Sequence, residues 1–137
     1  MFIDNKLVFS DHQHVTASAA SSDILDFGVA NADLGEGSGM CVRFIVETTF
    51  ASGNGTATLT IALQDSATDW GGAHVLVQGE AHAIGATTLI KGVYLPEMKI
   101  PDQHLQFMRL YYTAGTENFN AGAITAWVDV IKGMRHR

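Results

Sequence analysis

Hydrophobic side chains fall on every second residue in several long stretches of the chain. Met40, Val42, Phe44, Val46 and Phe50 share one side of a run whose other side carries Arg43, Glu47 and Thr49. Ala57, Leu59, Ile61 and Leu63 alternate with Thr58, Thr60 and Gln64. Met108, Leu110 and Tyr112 form a third series, and Ile124, Ala126, Val128 and Val130 a fourth. Neighbouring side chains of an extended chain point to opposite sides, so this period predicts strands with one buried face each. Ala51–Gly55 between the first two series contains Asn54-Gly55, a strong hairpin dipeptide, and predicts a hairpin over 40–64. The polar loop Ala114–Asn120 predicts a second hairpin over 103–132, with Gly115, Asn118 and Asn120 suited to a tight turn.

Shorter strands are expected at Lys6–Ser10, Ser22–Phe27 and His74–Val77, and at Thr87–Leu95, where Pro96 closes the run. Asp11–Ala20 reads as a loop or an edge, Gly28–Gly39 as a connecting loop, and most of Asp65–Gly85 as a surface excursion. No stretch carries a capped helical period. The expected fold is all-β: a jelly-roll-like β-sandwich of about eight strands with little helix, formed by one domain over 1–137.

A hydrophobic fraction of 47% with 16% charged residues fits a folded globular chain and excludes a disordered one. The single Cys41 forms no intrachain disulfide and, inside an alternating strand, reads as a packing residue. The N-terminal stretch has charges where a signal peptide needs an apolar segment, and no apolar run approaches ~20 residues. The expectation is a soluble protein made in the cytoplasm, without a membrane partner. A net charge of -6 argues against nucleic acid, whose binding needs basic surface. Charge is uneven: up to Ile90 there are ten acids against Lys6 and Arg43, whereas Lys91 onward has six bases against four acids. Lys132, Arg135 and Arg137 place three of those bases in the tail, so Arg135 and Arg137 are candidate partner contacts beside a plain solvated tail.

Motifs for chemistry are sparse. His12 and His14 have a spacing that can bind a divalent metal, but no second ligand pair completes a set, and surface histidines are the reading adopted. Gly35–Gly39 lacks the lysine and the following helix of a phosphate loop. No serine sits in a nucleophile elbow, and nothing pairs Cys41 with a histidine, so no enzyme activity is expected. Asn54-Gly55-Thr56 matches a glycosylation acceptor, which the turn explains. Trp70, in Asp69-Trp70-Gly71-Gly72, is either a local packing plug or an exposed anchor. Trp127 shares a face with Thr125 and Asp129, away from the core series, so another strand, sheet or subunit must cover it.

Several segments, in order along almost the whole chain, resemble tailed-phage capsid cement (decoration) proteins of the Bbp16-like family. They are the run Leu7-Val8-Phe9-Ser10-Asp11 with Leu25-Asp26 and Gly28, the stretch Gly55–Gln64, Met108–Thr113, and Ala121–Ala126. The resemblance implies a jelly-roll-like protein on the outer surface of a bacteriophage capsid, stabilising contacts between major capsid protein subunits. It implies a homo-oligomer, a dimer before a trimer, with no cofactor and no catalytic residue. The chain departs from the family pattern at Asp69–Gly72 and in the tail Met134–Arg137. The alternative is a carbohydrate-binding jelly-roll module, with Trp70, Trp127, Tyr111 or Tyr112 stacking on sugar rings.

Overall fold

The computed structural model describes residues 8–26, 40–67, 74–84, 89–101 and 105–130. They form ten strands and no helix: β1 (Val8–His14), β2 (Ala19–Ala20), β3 (Leu25–Asp26), β4 (Met40–Ser52), β5 (Thr58–Ser66), β6 (His74–Gln78), β7 (His82–Ala83), β8 (Tyr94–Lys99), β9 (Phe107–Gly115) and β10 (Phe119–Val130). One sheet runs β1-β10-β4-β8. The other runs β2-β9-β5-β6, with β3 beside β2's position on β9 and β7 beside β6's position on β5. All pairings are antiparallel.

The order is that of a ribbon folded over on itself. The first strand pairs with the last in one sheet, β2 and β3 pair with β9 in the other, β4 returns to β8 in the first, and β5 pairs with β6 and β7 in the second. Taking β2/β3 and β6/β7 as interrupted edges leaves eight strand positions in two sheets, the jelly-roll arrangement. The expected β-sandwich of about eight strands is the observed fold.

The described side chains of the four apolar series point inward. Val42, Phe44, Val46 and Phe50 of β4 and Ile124, Ala126 and Val128 of β10 face Leu59, Ile61 and Leu63 of β5 and Met108, Leu110 and Tyr112 of β9 in one buried cluster. Burying each large side chain contributes about 1.5–3 kcal/mol, which is why the period predicts the layers so well.

The pairings correct both expected hairpins. β4 and β5 lie in different sheets, as do β9 and β10, so each loop crosses from one sheet to the other. A type I′ hairpin turn needs positive φ at both central residues. Gly55 has φ 70, but Asn54 is not among the positive-φ residues. Two strands with one apolar face each can lie side by side or fold face to face across a core; these do the second.

Other boundaries also move. β1 runs on through Asp11–His14, in the stretch expected as a loop or an edge, as the edge strand of its sheet, and it bulges there: its register shifts between Ser10 and Gln13, and His12 has φ 49. β8 starts only at Tyr94 and passes through Pro96, because residues 89–93 turn, Val93 N–H donating to Ile90 C=O at 3.0 Å. Proline is tolerated there since β8 is an edge strand and its register with β4 shifts between Val42 and Phe44.

Candidate functional site

Trp127 occupies the face that its parity requires, the outside of the first sheet, opposite Val8 on one side and Arg43 on the other. It is nevertheless only 2% exposed. Its own chain covers it, and Tyr94 approaches edge-on with ring centroids 6.5 Å apart. The indole Nε1 is buried without a hydrogen-bond partner among the described residues. Trp127 is therefore not an exposed partner anchor, which corrects its reading as an interface residue. Tyr94, at 54% exposure, holds the surface position above it. Trp70, Arg135 and Arg137 lie outside the described residues.

Around Trp127 the outer face is charged. Arg43 Nε lies 2.9 Å from Asp129 Oδ2, and its Nη2 lies 3.9 Å from Glu97 Oε1. Cys41 sits in register between Asp129 and Lys99 and is fully buried. Burial, with the Glu97 carboxylate next in effect, pushes its thiol up to about 11, so the packing role read for it agrees with its surroundings. Thr125 donates to Glu47 at 2.7 Å while its hydroxyl oxygen accepts from His12 N–H at 2.9 Å.

His12 and His14 come together, their rings in an edge contact at 5.6 Å. His12 Nε2 lies 3.3 Å from Thr48 Oγ1. Among the described residues no cluster of three His, Cys, Asp or Glu side chains is placed to hold a metal ion.

Three polar constellations escaped the sequence reading. Glu117, in the β9–β10 loop, accepts from Ser52 Oγ at 2.7 Å, Thr56 N at 3.0 Å, Thr56 Oγ1 at 2.9 Å and Asn54 N at 3.2 Å. Those donors, Ser52 Oγ first, hold its carboxyl down at about 2. Asp65, buried in β5, accepts Leu105 N–H at 2.8 Å and meets His74 Nδ1 at 3.0 Å. Ser10 joins Tyr112 Oη at 2.7 Å inside the core and donates to Gln13 Oε1 at 2.6 Å. Each joins segments far apart in sequence, so no local spacing could have announced it.

A cleft of about 300 Å³ opens where β8 and β6 form the edges of their sheets. Phe44, Ile61, Leu95 and Met98 line it together with Glu80, His82, Glu97 and Lys99. Among the described residues that line it, none pairs a nucleophile with a base.

The family model that matches the chain is Bbp16, over residues 9–128. The chain belongs to the Bbp16 family. The match begins in β1 and ends in β10, so the Bbp16 region and the described jelly roll coincide. Trp70 falls inside that region, while Arg135 and Arg137 fall beyond it. No curated protein matches this Bbp16-family chain.

Proposed function

We propose that this Bbp16-family chain is a phage-related structural protein, a cement protein that binds the outer surface of a bacteriophage capsid and strengthens contacts between major capsid protein subunits. The observation that carries the reading is the family match across the whole jelly roll, from β1 to β10. Two features support it. The core closes between two sheets whose pairings join the start of the chain to its end, which suits a part that must resist deformation. The polar constellations tie loops and strands together, as Glu117 does. Cement action needs only surface and repetition, since many weak contacts on a symmetric shell sum to tight binding.

The test adds purified protein to mature capsids that lack it. Saturable binding and a rise in the capsids' thermal and osmotic stability are expected; capsids that neither bind the protein nor gain stability would sink the reading. The sugar-binding alternative loses two of its four stacking surfaces, since Trp127 and Tyr112 are both buried.

A further inference from the structure

The bulge in β1 gathers two imidazoles and a hydroxyl over one small residue. Ser10 pairs with Ala126 and Gln13 with Ile124, so Asp11 and His12 stand together against the single Thr125 between them. Ser10 and Gln13 turn inward, where Ser10 Oγ donates to Gln13 Oε1 at 2.6 Å. Asp11, His12 and His14 are left exposed. His14 is opposite Ala123 of β10, and Ala123 is opposite Thr48 of β4. Residues directly opposite in antiparallel strands share a face, so His14 and Thr48 flank a residue whose side chain is one methyl group. His12 completes the group: its ring centre lies 5.6 Å from that of His14, and its Nε2 lies 3.3 Å from Thr48 Oγ1.

His12 is also held where residues with a side chain are seldom found. Its φ of 49 lies in the left-handed region, a conformation that persists only where the surroundings enforce it. Here its N–H donates to Thr125 Oγ1 at 2.9 Å, and that hydroxyl donates to Glu47 at 2.7 Å. Bulges re-aim side chains, and this one sets one imidazole against another. Thr48 supplies what a histidine ligand needs besides a metal: a partner on one ring nitrogen that fixes the tautomer and leaves the other nitrogen as the donor.

We propose that His12 and His14 form a solvent-open binding site for a late divalent transition-metal ion, Cu²⁺, Ni²⁺ or Zn²⁺, on the edge strand β1. With nitrogen–metal distances of ~2.0–2.1 Å, two imidazoles on one ion stand with their centres about 5 to 6 Å apart. The two rings already have that spacing. Imidazole nitrogen suits these ions, whereas Mg²⁺ and Ca²⁺ take oxygen. Among the described residues no third His, Cys, Asp or Glu joins the pair, so water takes the remaining positions and the ion exchanges. A closed structural site takes four protein donors, and folding here does not wait on the metal. The site does not depend on the cement reading.

The experiment titrates the untagged full chain with Cu²⁺ and with Zn²⁺ by calorimetry and follows the histidine ring signals by nuclear magnetic resonance. Wild type, His12→Ala, His14→Ala, Thr48→Val, Thr48→Ser and His82→Ala are compared, with melting of each as the fold control. The wild type should bind Cu²⁺ more tightly than Zn²⁺, with the His12 and His14 signals moving, and excess Mg²⁺ or Ca²⁺ should displace neither. His12→Ala and His14→Ala should each weaken Cu²⁺ binding at this site by at least about tenfold, and Thr48→Val by about tenfold. Thr48→Ser, which keeps the hydroxyl, and His82→Ala should stay within about twofold of wild type. Wild type that binds neither ion at millimolar concentration overturns the site. So does Cu²⁺ binding that leaves the His12 and His14 signals unmoved or survives both alanine substitutions.

Discussion

Gly122 shows how much of this fold is decided by single atoms. It lies in the irregular part of β10, where the register against β4 shifts between Ala121 and Ala123, and its φ is 145. Any Cβ there would be driven into the ring of Phe50. That ring is itself packed edge-on against Phe119 at 4.9 Å, so it has little room to yield. Gly122→Ala should therefore combine overpacking with a strained backbone and lower stability by about 3 kcal/mol. Urea denaturation checks it: the midpoint should fall with an unchanged slope. Trp127 teaches the complementary point at the same scale. Its parity was readable, since alternation with Ile124, Ala126 and Val128 fixes the side on which it stands. What covers it was not, because Val8 lies in β1, at the far end of the sequence, and Tyr94 reaches it from β8.

At the scale of elements, the same limit explains why strands were legible and their partners were not. A period of two states which side chains are buried, and it did so for Leu59, Ile61 and Leu63 and for Met108, Leu110 and Tyr112. It is silent on which strand lies alongside. The turn dipeptide Asn54-Gly55 suggested an adjacent partner, yet its loop is held by Glu117 from the other crossover loop. This clasp has a definite pH signature. The folded-state pKa of Glu117 is depressed from 4.5 to about 2, so its contribution is present above the unfolded value and fades as pH falls towards the folded one. Glu117→Gln should lower the denaturation midpoint at neutral pH. The gap between variant and wild type should then narrow between about pH 4.5 and pH 2. A gap that stays constant through that window would mean that the carboxylate's charge contributes nothing. Of the site candidates, by contrast, only Trp127 could be placed, since Trp70, Arg135 and Arg137 lie outside the described residues.

For the whole molecule, the pairing order sets the cost of folding. Val8 meets Trp127, and Ala19 meets Tyr112, so β1 and β2 cannot be secured until almost the entire chain is in place. The short crossover loops at 53–57 and 116–118 offer no shortcut, because neither joins strands of one sheet, and the sequence-distant pairings must close large loops. Closing such long loops costs entropy before any contact repays it, and all-β folds built from non-local pairings fold on the order of milliseconds to seconds. Both sheets also share one buried cluster, so neither can persist without the other. The chain should therefore unfold in one cooperative transition and refold slowly. Stopped-flow refolding in a Trp70→Phe background, where Trp127 alone reports, should give a main relaxation in that range. Its rate should match that of strand formation followed by far-ultraviolet circular dichroism. Burial of Trp127 well before the strands form would show that the first sheet assembles independently, against the coupling that the shared core and the β1–β10 pairing require.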